Sequence, residues 1–515
     1  MKLSQLLRQV TYRVVKGTKD IEIQALRCDS RLVETGDVFV CIKGYETDGH
    51  RFLSEALERG AAAVIIQESC PRCRGQKRCF GCCMPTKGIS VISVSDTRYA
   101  LAAMAAAYYG YPARQLKVIG ITGTKGKTTT AYLIREGLLV AGRRAGLIGT
   151  VQIDTGKRVF TCSNTTPESL QIQEYLREMA DSGCDSVVME VSSQALKLHR
   201  TAGICFAVGV FTNLGRDHIG PGEHADMEEY LRCKRRLFFQ CETAVGNAED
   251  TCLPRIWKGT ACRKITYGIA CKEMGYKGQR NHVFPAGVRR LDYAASDIVY
   301  TDSGNVLGVR CRVEGCMTGE LKLGMPGAFN ISNGLAAAAV LRALQIPESG
   351  IFPALEKVQV PGRMEAVPAP SDCRILIDYA HNAMSLQQSL RTIRDYHPAR
   401  LVVIFGCGGN RSRERRFTMG ETAGKYADFT IITTDNPRYE SPQAIMEDIE
   451  QGIKRTDGSY IVIEDRQEAI GYAIEMRETG DVILIAGKGH ETYQEIQGVR
   501  YPMDDRELVR RCTQI

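Results

Sequence analysis

No stretch of this chain approaches the roughly 20 uninterrupted apolar residues that a bilayer-crossing helix needs, so membrane insertion is not expected. The amino terminus, MKLSQLLRQVTYRVVKG, is amphipathic and charged and lacks the apolar core of a signal peptide. A cytoplasmic protein follows by elimination. The net charge of +8 is small for 515 residues and is not gathered into basic blocks. No basic–aromatic platform of the type that single strands stack on is present, which argues against a nucleic-acid partner. Local positive sites for anionic ligands remain the useful reading of that charge. No glycine loop has the G-x-G-x-x-G spacing of a dinucleotide site, so nicotinamide chemistry is not expected.

What is present is ordinary in bulk. Hydrophobic residues make up 44% and charged residues 24%, the balance of a soluble globular protein. A chain of 515 residues is too long for one core, and roughly three domains is the natural division. Twenty cysteines are many for a reducing compartment. Most are scattered singly, as small buried hydrophobes or exposed thiols. One group stands apart in CPRCRGQKRCFGCC, where Cys70, Cys73, Cys79 and Cys82 form a C-x₂-C-x₅-C-x₂-C array followed by Cys83. Two such knuckles can supply four thiolates to a structural zinc, although the spacer is shorter than in most zinc modules. Free cysteines in a loop, or a redox-labile pair, are the alternatives.

The most informative stretch is LKVIGITGTKGKTTT, residues 116–130. Val118–Ile121 reads as a buried strand, Gly123-Thr124-Lys125-Gly126-Lys127-Thr128 as a glycine loop, and Thr129–Leu139 as a helix. Strand, glycine loop and helix with Lys-Thr at the junction is the physical recipe for a nucleotide triphosphate. Backbone N–H groups wrap the phosphates, Lys127 neutralises them, and the Thr128 hydroxyl is placed to ligate Mg²⁺. The spacing departs from strict Walker A, since Ile121 stands where its first glycine belongs.

The rest alternates strand and helix, an α/β class. Residues 1–115 read as a small α/β domain, with strands at Asp37–Ile42 and Ala61–Ile66, a helical stretch at Phe52–Arg59 and an Ala-rich helix at Ala100–Tyr109. Turns around Ser30 and at Tyr45-Glu46-Thr47 are rich in polar residues, which by themselves need be no more than turns. In the central region, 116–358, strands at Ser186–Val191 and Ala207–Phe211 deliver Glu190 and then Asp217-His218 at their carboxyl ends, where ligands collect in open parallel sheets. Carboxylates so placed downstream of a phosphate loop suit a metal site. Glu228–Phe239 reads as a basic helix on which Lys234, judged alone, belongs in solvent. Between Cys252 and Gly319 only short strands are legible. An Ala-rich helix at Leu335–Leu344 follows. The last region, 359–515, is Rossmann-like: strands at Ile375–Tyr379, Leu401–Phe405, Phe429–Thr433 and Val482–Ala486 each empty into a polar or glycine loop.

Ten motifs in fixed order resemble the Mur ligase family: GTKGKTTT at 123–130, NTTP at 164–167, MEVSS at 189–193, FTNLGRDH at 211–218, GAFNISN at 327–333, PGRME at 361–365, DYAH at 378–381, GCGGNR at 406–411, DNPR at 435–438 and AGKGHE at 486–491. Within that family they are most similar to the branch that adds the third amino acid of the peptidoglycan stem peptide. The resemblance implies a UDP-sugar domain, a central ATPase and an amino-acid domain, in a chain acting as a monomer. It implies ATP and Mg²⁺, with Gly123 through Thr129, Asn330 and Arg363 at the nucleotide. Glu190, His218, Thr128 and Lys234 would serve the metal, and Lys127, Lys234, Glu190 and His218 the chemistry. Lys234 falls on the lysine that the family carboxylates with CO₂, which overrides the solvent reading. Ser30, Tyr45, Glu46 and Thr47 would face the UDP moiety; Asn164, Thr165, Thr166, Ser192 and Arg200 would hold the muramoyl peptide. Arg411, Asp435, Asn436, Pro437, Arg438, Gly487 and Glu491 would bind the incoming amino acid.

The implied reaction is ATP-dependent amide ligation of meso-diaminopimelate to UDP-MurNAc-L-Ala-D-Glu through an acyl phosphate. An L-lysine-adding or folylpolyglutamate-type ligase, or a P-loop NTPase switch, are the rivals. The chain departs from the family pattern at Gln194-Ala195, at Asn382-Ala383-Met384 and in the cysteine insertion.

Overall fold

The computed structural model describes residues 1–44, 47–68, 88–162, 164–220, 222–270, 291–303 and 306–513. Tyr45, Glu46 and the cysteine array Cys70–Cys83, with its zinc reading, lie outside the described residues. The chain divides into two compact units. The first comprises Met1–Lys127, Gly142–Gly246 and Asp250–Ile265; the second holds the remainder.

The first unit opens with a five-stranded sheet, β1 (Tyr12–Lys16), β2 (Leu26–Arg27), β3 (Val38–Val40), β4 (Ala63–Gln67) and β5 (Ser90–Val94), in the order β1-β5-β4-β3-β2. Val38, Val40, Ile65 and Ile92 pack against the helix Thr97–Tyr108, whose small Ala100, Ala103 and Ala107 let helix and sheet approach closely. Asp96 caps that helix by accepting from Arg98 N at 2.8 Å and Tyr99 N at 3.1 Å.

The same unit contains β6 (Lys117–Thr122), β7 (Ala145–Ile148), β8 (Ile153–Asp154), β9 (Val159–Phe160), β10 (Ser186–Glu190), β11 (Phe206–Phe211) and most of β12 (Cys241–Asn247). Their order is β12-β11-β6-β10-β7-β8-β9, and β12, β11, β6, β10 and β7 run parallel. β6 lies between β10 and β11. Its apolar run, buried on both faces, is what a central parallel strand requires. The loops leaving β6, β10 and β11 therefore share one sheet edge.

Most of β13 (Arg263–Ile269) lies in the second unit and pairs parallel with β14 (Tyr293–Ser303), which pairs antiparallel with β15 (Val306–Gly315), itself paired with β16 (Gly319–Leu323). β14 and β15, of 11 and 10 residues, are far longer than the short strands legible in the sequence. The register shifts between Ser296 and Val299, and Asp297 takes φ +51°, so the alternation of apolar residues breaks within β14. The helix Ala328–Ala343 starts seven residues before the expected Leu335. Gly327, at φ +97°, supplies the turn, while Asn330 donates to Pro326 O at 2.7 Å and Asn333 to Asn330 Oδ1 at 3.0 Å. Polar residues that look like a loop are here internally bonded within a helix.

The carboxyl-terminal sheet has six strands: β17 (Glu365–Val367), β18 (Cys373–Asp378), β19 (Leu401–Phe405), β20 (Phe429–Ile432), β21 (Ser459–Val462) and β22 (Asp481–Ala486). Their order is β17-β18-β22-β19-β20-β21, parallel except β17. A hairpin of β23 (Tyr493–Ile496) and β24 (Val499–Pro502) follows.

Beneath this sheet Arg466, 1% exposed, forms a two-pronged ion pair with fully buried Asp505 at 2.7 and 2.8 Å. Arg466 also donates to Thr434 O and Ala486 O, both at 3.2 Å. Asp505→Ala would strand a buried guanidinium. The expected loss is about 3–5 kcal/mol of unfolding free energy, read by urea unfolding; a loss below about 1 kcal/mol would mean that water replaces the carboxylate.

Candidate active site

The phosphate loop is shaped by glycine where only glycine fits. Gly126 has φ +84°, and a Cβ on Gly123 would lie 1.8 Å from Thr212 Oγ1. The loop after β11 braces it from the side. Thr124 N donates to Asn213 O and Lys125 N to Asn213 Oδ1, both at 2.9 Å, while Thr212 Oγ1 donates to Lys125 O at 2.6 Å. Thr124 Oγ1 accepts from Gly215 N at 2.9 Å and lies 3.1 Å from Tyr230 OH. Lys127 curls back, donating through Nζ to Gly123 O at 2.9 Å and Thr124 O at 3.1 Å. Thr128 and Thr129 are buried in the first turn of the helix Lys127–Val140.

Lys234 is not in solvent. It is 1% exposed on the helix Met227–Arg235, where Tyr230, Leu231 and Cys233 are also buried. Its Nζ donates to Gly123 O at 2.9 Å and lies 4.4 Å from the centre of the Tyr230 ring, one turn away. Burial, and then the charge of Lys127, drive its amine well below the ordinary lysine value. A neutral amine with a free lone pair is the form that can add to CO₂. Lys127, Ser192, His218, Tyr230 and Lys234 line one cavity of about 250 Å³.

Two further residues of that cavity are not among the site residues expected from the sequence. His224 is buried and lies with Nε2 2.8 Å from Ser193 Oγ, and burial and then the charge of Lys197 lower its basicity below the ordinary histidine value. Gln194, one of the departures from the family pattern, lines the same cavity and donates to Gly222 O at 3.4 Å. His218, at φ +55°, has Nδ1 3.0 Å from Glu223 Oε1.

At the end of β10, Glu190 is buried; its Oε1 accepts from Thr150 N at 2.8 Å and its Oε2 from Thr150 Oγ1 at 3.1 Å. Thr165 Oγ1 lies 3.0 Å from Thr150 Oγ1, and Thr166 Oγ1 donates to Glu190 O at 2.8 Å. Arg200 donates to Thr166 O at 2.8 Å and to Glu168 at 2.5 Å, and Ser192 Oγ caps the helix Ser193–Lys197. Asn164 is exposed beside them. The carboxylate of Glu190 offers the hard oxygen atoms that a cation such as Mg²⁺ takes. Mg²⁺ needs only one or two protein oxygens beside water and substrate phosphates; no three His, Cys, Asp or Glu side chains converge among the described residues. In the segments that connect the strands of the five-stranded sheet, Ser30 donates to Glu55 at 2.8 Å, and Thr47 is exposed with its carbonyl accepting from Gly44 N.

The second unit brings the loops after β20 and β22 together. Asn436 Nδ2 donates to Glu491 Oε2 at 2.8 Å, and Lys488, fully buried, donates to Asn436 Oδ1 at 3.1 Å. Lys488 was not legible as a site residue, because glycines flank it and nothing in its spacing marks burial. A Cβ on Gly487 would lie 2.7 Å from Asp435 Oδ2. Arg438, after Pro437, donates from Nε to Glu495 at 3.3 Å and from Nη1 to Gly409 O at 2.8 Å. Arg411 is exposed in the loop after β19. Arg363 lies 4.6 Å over the Tyr379 ring; His490, 4.9 Å from that ring, is pushed down to about 3 by burial and by Arg363 and Arg506. Asn330 sits in its helix as described above.

A braced phosphate loop at the edge of a parallel sheet, with a separate Rossmann-like sheet, fits the fold expected of an ATP-dependent amide ligase of the Mur type. The Mur ligase middle domain matches residues 121–341, the glutamate ligase domain residues 362–489, and the Mur ligase family catalytic domain residues 22–109. The chain belongs to the Mur ligase family, and its activity is the ATP-dependent formation of a peptide bond. It is 38% identical, over 99% of its length and 98% of the relative's, to the UDP-N-acetylmuramoyl-L-alanyl-D-glutamate–2,6-diaminopimelate ligase of Caldanaerobacter subterraneus. It is 39% identical to the ligase of that name from Geobacillus thermodenitrificans, over 99% of both chains. A solved structure carrying that enzyme name superposes with a TM-score of 0.68 at 28% identity, over 100% of this chain and 99% of that one. A MurF ligase from Thermotoga maritima solved with ADP shares the fold, at a TM-score of 0.55 and 19% identity over 96% of this chain and 98% of its own.

Proposed function

We propose that this protein joins meso-diaminopimelate to UDP-MurNAc-L-Ala-D-Glu, driven by ATP, in peptidoglycan precursor synthesis. The observation that carries this reading is the match along 99% of the chain to ligases bearing that name. The γ-phosphoryl group of ATP passes to the free γ-carboxylate of the D-glutamyl residue. A carboxylate is a poor acyl donor because oxide would have to leave; the acyl phosphate is a far better one. The amine of the incoming amino acid then attacks, and phosphate departs from the tetrahedral intermediate.

Within that reaction Lys127 and the loop amides from Gly123 to Thr129 bind and neutralise the transferring phosphoryl group. Asn330 and Arg363 complete the nucleotide contacts. Mg²⁺, when bound, supplies charge neutralisation at the phosphates, with Glu190, Thr128, His218 and a carboxylated Lys234 as its protein partners. A carbamate on Lys234 would turn a buried amine, which burial and Lys127 keep in its neutral form, into an anion. Thr165, Thr166, Ser192 and Arg200, with Asn164, hold the muramoyl peptide, and Ser30 with the 45–47 turn holds the UDP end. The three tasks divide among residues 1–115, 116–358 and 359–515. The location proposed is the cytoplasm, where ATP is available; no helix among the described residues is long and apolar enough to cross a membrane.

Arg438 sets the choice of amino acid. Meso-diaminopimelate carries a second carboxylate where L-lysine has none, and a guanidinium offers a planar fork matched to it. Glu491 accepts from the distal ammonium that both substrates possess, so it serves binding more than choice. Arg438→Ala is expected to cost about 10²-fold in kcat/KM for meso-diaminopimelate while leaving L-lysine little affected. Steady-state kinetics with both amino acids checks this; comparable kcat/KM for L-lysine in the unsubstituted protein contradicts it.

A further inference from the structure

Arg438 has φ +53°, a left-handed conformation that a long side chain seldom adopts. The hairpin β23–β24 holds it there. Arg438 N donates to Glu495 O at 3.0 Å, and Gln497 N donates to Arg438 O at 2.7 Å, which makes a one-residue bridge to the hairpin at Ile496. The hairpin itself turns on Gln497 and Gly498, at φ +50° and +77°, the tight two-residue turn whose twist suits paired strands.

Glu495 is tied to the same loop three times. Its carbonyl takes Arg438 N, its own N–H donates to Asn436 Oδ1 at 2.9 Å, and its carboxylate accepts from Arg438 Nε at 3.3 Å. A guanidinium presents two forks, one made of Nε and a terminal nitrogen, the other of the two terminal nitrogens. With Nε held by Glu495, the fork through Nε is closed and the plane of the group is set. Gly409 O, accepting from Nη1 at 2.8 Å, fixes the second point of that plane.

We infer that Glu495 is a positioning residue for amino-acid choice: it pins Nε of Arg438 so that the terminal nitrogens meet the second carboxylate of a diacidic amino acid. This rests on the role proposed above for Arg438. Both side chains are 22% exposed, so the pair adds little to stability. Its effect lies in ordering a long side chain before substrate arrives, worth up to about tenfold in affinity.

The test is steady-state kinetics with ATP and UDP-MurNAc-L-Ala-D-Glu saturating. Glu495→Ala is expected to raise KM for meso-diaminopimelate about tenfold, with kcat, the KM for the UDP substrate and the thermal midpoint little changed. Glu495→Gln, whose amide oxygen still accepts from Nε, should recover most of that loss. In an Arg438→Ala background, Glu495→Ala should add nothing. An unchanged KM in Glu495→Ala, an equal rise without Arg438, or a glutamine variant as poor as alanine would each overturn the inference. So would a lowered thermal midpoint with a raised KM for the UDP substrate, the signature of a loosened hairpin. If Arg438→Ala itself leaves the KM for meso-diaminopimelate unmoved, the reading of Arg438 fails instead.

Discussion

Lys127→Ala is expected to lose about 10³-fold or more of ATP-dependent ligation while remaining folded. The lysine supplies the fixed positive charge of a loop whose other phosphate donors are backbone N–H groups. Phosphoryl transfer has little covalent chemistry for the protein to assist, so positioning and charge make up nearly all of its contribution. The fold should survive because the braces of the loop come from elsewhere. Asn213, Thr212 and Gly215 bond to Thr124 and Lys125. Gly123 O, which Lys127 would vacate, still accepts from Lys234 Nζ at 2.9 Å. Ligation rate and thermal midpoint, measured together, decide it. A folded variant with full activity would remove the nucleotide assignment.

Lys234→Ala should fall by a similar factor, on the order of 10³, for a different reason. The buried amine is proposed to carry CO₂ as a carbamate, and only a neutral amine can form one. Burial and Lys127 favour that neutral form. Removing the side chain leaves a small space beside Gly123 and the Tyr230 ring that a short-chain carboxylate fits in charge and size. Added formate, acetate or propionate should therefore restore part of the activity, and the same acids should do nothing for Lys127→Ala. Lys234→Arg, which places a fixed cation there and cannot form the carbamate, should stay inactive. An alanine variant that is active, or inactive and indifferent to acid, would show that the buried amine serves packing alone.

The parts of this site that were legible in the sequence are those where backbone geometry dictates residue type. Gly123 and Gly126 stand where a side chain would clash or strain, and β6, β10 and β11 each carry an apolar run because both faces are covered. Their loops could be placed at one sheet edge from pattern alone. Lys234 could not, since a lysine on a basic helix looks solvated. Ser193 with His224, Arg466 with Asp505, and Lys488 with Asn436 join residues 31, 39 and 52 positions apart. No local periodicity encodes such pairs. The β14–β15 hairpin was obscured because a register shift breaks the alternation on which strand reading depends.

The central claim is amide ligation onto a UDP-muramoyl dipeptide with meso-diaminopimelate as the amine. The most direct measurement is ADP release by the intact protein with Mg²⁺, run with each substrate omitted in turn and with L-lysine in place of meso-diaminopimelate. The account predicts ADP release only when UDP-MurNAc-L-Ala-D-Glu and meso-diaminopimelate are both present, with one amide formed per ADP. Release that needs neither would make the protein a nucleotide-driven switch, and release that L-lysine or a folate substrate supports equally would make it a different ligase.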